Sequence, residues 1–161
     1  MCVQEMFSIE CHGGPSTNAF KQYIDMTRVG AMIETSSATV TLVGERSIEQ
    51  CFRVDARFDP DPMEANRNAR ERLSKGMPYG LLIILPDGAE VQPSSTNTDH
   101  FRLESVDRRI LALAVVANGE AMYMVCKFYF RYYPQSFPVE VFDDEDVARE
   151  WLNDRIGMSG A

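Results

Sequence analysis

Apolar residues fall into distinct patterns along this chain, and each pattern predicts a different element. Between residues 31 and 57 they come in short alternating runs. Ala31 to Thr35, Ala38 to Gly44 and Gln50 to Arg57 read as strands, with Thr35-Ser36-Ser37 and Glu45-Arg46-Ser47 as polar breaks between them. Val40, Leu42, Phe52 and Val54 carry the alternation, which predicts an antiparallel start with one face in water. Tyr79 to Leu85 and Ile110 to Val116 are instead apolar without interruption. Runs of strand length with no polar face predict central parallel strands covered by helices on both sides.

Helical spacing and helix signals fill the intervals. Asp61-Pro62-Met63-Glu64 combines an N-cap Asp, a proline at the first helical position and a Glu three residues after the cap. The helix opened there carries Ala65, Ala69 and Leu73 on one face, places Arg70, Arg72 and Lys75 toward its C-terminal end and stops at Gly76. Pro86-Asp87-Gly88 is a turn, and the polar run from Pro93 to Thr98 leads to a short helix from about Asn97 to Val106. After Asn118-Gly119 a helix runs to about Tyr132 and is closed by Pro134, followed by a strand from Val139 to Phe142. The last helix is capped by Asp143 or Asp144, is striped with Val147, Ala148, Trp151 and Leu152, and ends at Gly157. Strand pairs followed by β-α-β-α-β-α predict an α/β layer with a mixed sheet, its antiparallel start leading into central parallel strands flanked by helices.

The length of 161 residues fits one domain, placed at residues 29–157. Residues 1–28, with the turn-rich His12 to Asn18, form an expected N-terminal extension that is packed on the domain or partly mobile, and residues 158–161 form a tail. Hydrophobic residues make up 45% of the chain and charged residues 25%, enough for a real core. With 16 Lys and Arg against 24 Asp and Glu the net charge is −8, which opposes capture of phosphate backbones. No nucleic-acid partner is expected, and anionic membrane surfaces are poor partners for the same reason.

The longest apolar stretches fall far short of the ~20 residues that span a bilayer, so the protein is not expected to be an integral membrane protein. The start, MCVQEMFSIECHGG, lacks the basic region and apolar run of a secretory signal, and a cytoplasmic location is expected. Cys2, Cys11, Cys51 and Cys126 are scattered without metal-ligand spacing and read as reduced thiols. Cys11 beside His12 is not read as a catalytic pair, because adjacent residues seldom point at each other.

The stretch Phe128-Tyr129-Phe130-Arg131, then Pro134, Pro138-Val139-Glu140-Val141-Phe142, Ala148 and Trp151-Leu152 resembles the bacterial SpoIIAA-like family, also described as STAS/SEC14-like. The resemblance covers roughly residues 29–156, and its last third is the distinctive part. It implies a STAS/SpoIIAA-like α/β sandwich, like that of anti-sigma-factor antagonists and lipid-transfer domains, and no catalysis. In that family a serine or threonine after a central strand is the target of a partner kinase. Ser94, Ser95 and Thr96 stand at the matching place as a candidate regulatory loop, although the usual Asp-Ser-Ser/Thr-Gly character is missing. A phosphate there would add about −1.5 to −2 charges to an exposed surface near a helix N-terminus. The plainer reading is that these residues make a turn and a cap.

Ala121 to Phe130 is apolar nearly all round a helix. One side must pack on the sheet, and the other requires cover by the N-terminal extension, a second subunit or an apolar ligand. Self-association, a possible homodimer, or intrachain cover is preferred to a ligand pocket, which would be lined by Met122, Met124, Phe128 and Phe130. Trp151, the sole tryptophan, is read as core, so Trp151→Ala is expected to cost roughly 3–5 kcal/mol. The acidic run Asp143 to Asp146 is explained by helix capping rather than metal binding. His100 reads as a helix surface residue, and no Gly-x-Ser-x-Gly elbow, phosphate loop or dinucleotide motif occurs. No catalytic residues, metal or cofactor are therefore assigned. The leading expectation is a non-enzymatic regulatory or protein-interaction module with an unknown protein partner, and the alternative is a SEC14-like binder of an apolar or lipid ligand.

Overall fold

The computed structural model describes residues 28–89 and 91–159. The extension expected over residues 1–28, with Cys2, Cys11 and His12, lies outside the described residues apart from Arg28. In chain order the elements are β1 (Met32–Glu34), β2 (Ala38–Gly44), β3 (Ser47–Phe52), α1 (Pro60–Ser74) and β4 (Tyr79–Ile84). A 3₁₀ turn (Pro93–Asn97), α2 (Arg102–Asp107), β5 (Ile110–Val116), α3 (Glu120–Tyr132), β6 (Val139–Phe142) and α4 (Glu145–Ser159) follow. The strands form one six-stranded mixed sheet in the order β1-β2-β3-β4-β5-β6. β1, β2 and β3 pair antiparallel, and β3, β4, β5 and β6 pair parallel.

The strand order decides where the helices sit. Each parallel strand is added beside the one before it, so crossovers of the usual right hand all fall on one face of the sheet. The two core clusters follow that division. One joins Ile48, Phe52, Leu81, Ile83, Leu113 and Val115 to Met63 and Leu73 of α1, Phe101 before α2 and Cys126 of α3. The other joins Leu82, Ala112, Ala114 and Val116 to Ala148 and Leu152 of α4. Continuous apolar runs at β4 and β5 are thus explained, since both faces of these strands are covered. Among the described residues no helix is long and apolar enough to cross a membrane.

Several boundaries differ from the sequence expectation. β3 begins at Ser47 and ends at Phe52, and Val54 is 78% exposed rather than part of the alternation. Parallel pairing sets this register: Ser47 stands opposite Gly80 and Cys51 opposite Ile84, the last residue of β4, so the chain beyond Phe52 has no strand to pair with. α1 starts two residues earlier, at Pro60 after Asp59, and Ala65 faces solvent while Met63, Asn66, Ala69, Arg70 and Leu73 face inward. Arg70 is therefore not a surface cation at a helix end. Its guanidinium is buried against Tyr79, Gln50 and Glu104. α4 is capped by Asp144, whose Oδ1 accepts from the Val147 N–H at 3.0 Å, and it continues through Gly157 to Ser159. Residues 158 and 159 are helix rather than tail.

Candidate functional site

α3 leaves β5 through Asn118 and Gly119, whose φ of 87° suits glycine. Its thirteen residues give about 20 Å of helix. Met122, Cys126, Tyr129 and Phe130 turn toward the sheet, where Cys126 is buried and the others are half-buried. On the opposite side Met124 is 43% exposed, Phe128 61% and Tyr132 77%, with Ala121 and Val125 beside them. The residues expected to act together are thus divided: Met122 and Phe130 belong to the core, and Met124 and Phe128 to the surface. Lys127, on the flank, pairs with Glu140 of β6.

The Ser94 to Thr96 segment lies within the 3₁₀ turn and not at the start of a helix running from Asn97. α2 begins only at Arg102, after Asp99 Oδ1 has accepted the Phe101 N–H at 3.1 Å. The three residues have different environments. Ser94 is exposed. Ser95 is only 6% exposed, and its Oγ has no hydrogen-bond partner among the described residues. Thr96 donates its hydroxyl to the Pro93 carbonyl at 2.8 Å. The exposed serine-threonine loop is therefore corrected to one exposed serine, one buried serine and one threonine engaged within its own turn.

Tyr129 straps this turn to α3. Its hydroxyl donates to the Thr98 carbonyl at 2.9 Å and accepts the His100 N–H at 2.8 Å. Burial pushes the phenol well above its ordinary range, which keeps the proton needed for that donation. The His100 ring stacks on Tyr129 at 6.2 Å, and its Nε2 lies 2.8 Å from the Ser95 carbonyl. A carbonyl only accepts, so Nε2 carries a proton. His100 is consequently a half-buried fastener between turn and helix, not a helix surface residue, and it bonds the carbonyl of Ser95 rather than its hydroxyl. Tyr129 had not been singled out from the sequence. Its signal, the aromatic run Phe128-Tyr129-Phe130, does not reveal which ring carries the hydrogen bonds.

Between the turn, α1 and α3 lies a cavity of about 90 Å³ at the C-terminal ends of β4 and β5. Ile83, Leu85, Val115, Met63, Met122 and Cys126 line it together with Ser95. Burial pushes the Cys126 thiol up to about 11, so it is neutral and unreactive at neutral pH. Magnitude limits what this space can hold: a dry apolar cavity that accepts benzene is about 150 Å³, and ligand pockets run to roughly 300–1,000 Å³. A much wider open groove, about 640 Å³, runs outside α3 between Thr96, Asn97, Val125, Phe128 and Tyr132.

Three residues of the acidic run, Asp144, Glu145 and Asp146, are engaged within the fold. Asp144 caps α4, and Arg149 reaches Glu145 at 3.0 Å, Asp146 at 3.5 Å and Glu49 of β3 at 2.7 Å.

The two serines should respond differently to substitution. Ser95→Ala should leave stability unchanged or raise it by about 1 kcal/mol, because it removes a buried hydroxyl that lacks a partner. Ser95→Asp should lower the melting temperature sharply by burying a charge, whereas Ser94→Asp should change stability by no more than about 0.5 kcal/mol. Thermal melting of the three variants checks this, and equal tolerance of aspartate at both positions would contradict the burial of Ser95.

No curated protein and no solved structure matches this chain. A family model matches residues 52–156, which run from the end of β3 through the 3₁₀ turn and α3 into α4. With that match covering well over half its length, the chain belongs to the family described as domain of unknown function (DUF7793).

Proposed function

We propose that this chain is a non-enzymatic, STAS-like protein-interaction module of the cytoplasm, with the outer side of α3 and the adjoining 3₁₀ turn as its recognition surface. The observation that carries this reading is the exposure of Met124, Val125, Phe128 and Tyr132 along one side of a helix whose other side is buried. Aromatic and methionine side chains grouped on a surface supply adaptable apolar contact, and interfaces are enriched in them. The resemblance of the C-terminal third to SpoIIAA-like domains supports the STAS-like part. A carrier of lipid-sized molecules would need an interior space lined by Met122, Met124, Phe128 and Phe130 together, and a cavity of about 90 Å³ that Met122 and Phe130 touch but Met124 and Phe128 do not favours a filled core with an active surface. Ser94, exposed in the 3₁₀ turn whose Thr96 and Asn97 line the groove beside α3, is the residue at which added charge would alter docking.

The test is recovery of a partner from lysate of the source cells on immobilised protein. Phe128→Glu should abolish recovery, and Ser94→Asp should reduce it while Ser94→Ala does not. Val147→Glu, an equally exposed change on α4 across the sheet, should have no effect. Recovery that survives Phe128→Glu, with the variant shown to be folded by circular dichroism, would remove α3 as the recognition surface.

A further inference from the structure

We propose that the partner seated on the outer face of α3 is a second copy of this chain, with the two α3 helices antiparallel about a two-fold axis. This rests on the reading of α3 as a protein-contact surface and adds the identity of the occupant. The order of side chains along the exposed face makes it complementary to a reversed copy of itself. At 100° per residue, Met124 and Phe128 lie 40° apart on either side of its central line, about one turn from each other. Glu120 and Arg131 lie together on one flank, at opposite ends of the helix. Ala121 and Tyr132 lie together on the other flank, again at opposite ends.

In an antiparallel pair a given flank meets the same flank of the other helix, in reversed order. With the axis midway between Met124 and Phe128, Phe128 lies beside the partner's Met124. Glu120 then lies beside the partner's Arg131, and Tyr132 beside the partner's Ala121. Each match is completed by its symmetry mate, so the face is complementary to itself in charge and in size, as an isologous interface requires. A parallel two-fold pair would instead bring unlike flanks together, setting Glu120 beside the partner's Ala121 and Arg131 beside the partner's Tyr132. Neither charge then meets its opposite, which selects against that arrangement. The apolar residues supply attraction for either direction, and the two charges choose between them.

Sedimentation equilibrium of the full chain, in low salt and over a concentration range reaching about 100 µM, tests this together with a charge swap. Wild type should be a dimer and Phe128→Glu a monomer of unchanged fold by circular dichroism. Glu120→Arg and Arg131→Glu should each weaken the dimer about tenfold or more, since every change places two like-charged pairs at the symmetric interface, and the double variant should restore it. A dimer that withstands Phe128→Glu overturns the proposal, as does a double variant no stronger than either single one. A wild type that is monomeric throughout overturns it as well. In that case partner recovery still abolished by Phe128→Glu leaves the contact-surface reading standing, and unaffected recovery overturns both. A monomer destabilised by Phe128→Glu assigns the face to residues 1–27 of the same chain and also overturns the proposal.

Discussion

Arg70→Ala should be among the most damaging single substitutions in this domain, costing about 3–5 kcal/mol. Arg70 and Glu104 are each 1% exposed, and their ion pair ties α1 to α2 beneath the helix-covered face of the sheet. The same guanidinium donates from Nε to the Tyr79 hydroxyl at 3.1 Å and from Nη1 to Gln50 Oε1 at 2.5 Å. Truncation removes the cation and leaves the Glu104 carboxylate buried beside an empty space, which is the expensive way to break such a pair. At this chain length the melting temperature should fall by roughly 10 °C or more. Arg70→Met combined with Glu104→Leu should recover much of that loss, because no charge is then stranded. A shift of only a degree or two for Arg70→Ala would show that water reaches the pair.

The second large effect is expected on the other face. Leu152 is 2% exposed and lies among Leu82, Ala112, Ala114, Val116 and Ala148, mostly smaller residues that leave it as the main anchor of α4. Close approach of this helix depends on Gly80, where an added Cβ would stand 2.3 Å from Ile156 Cδ1. Leu152→Ala should cost about 2–5 kcal/mol. Trp151 is only half-buried, its ring 5.6 Å from that of Phe142 and 5.3 Å from the Arg155 guanidinium. Trp151→Ala should therefore cost less, about 1–2 kcal/mol, in place of the larger value expected from the sequence. Denaturant unfolding of both variants orders them, and a larger loss for Trp151→Ala would contradict the packing of α4.

Elements with an unbroken apolar pattern were the legible ones. β4 and β5 lie on their continuous runs, β4 ending one residue short at Ile84, and the antiparallel start with a parallel remainder could be read from alternation giving way to those runs. β3 was misplaced because its register is set by a strand far along the chain, and its buried positions include the polar Gln50. Arg70 and Glu104 were illegible for a related reason. Spacing alone makes an arginine near a helix C-terminus look like a dipole partner, and only the meeting of α1 with α2 shows it to be interior. In the site, the all-round apolar character of α3 announced an uncovered side without separating Met122 and Phe130 from Met124 and Phe128. That division depends on the angle at which the helix meets the sheet. The polar run Pro93 to Thr98 reads as a loop leading into a helix from Asn97, but it is a 3₁₀ turn set apart from α2, and the burial of Ser95 depends on Tyr129 and His100 drawing it against α3.

The central claim is that this domain works through its surface and not through its interior. Native mass spectrometry of the full chain, purified without detergent and compared with the same sample after denaturation, addresses it most directly. The account predicts that every native species has the mass of the polypeptide or of a whole-number multiple of it, and that denaturation releases nothing. A small apolar molecule that travels with the folded chain in stoichiometric amount and is released on unfolding would contradict it, and would make the interior lined by Met122 and Phe130 the functional site.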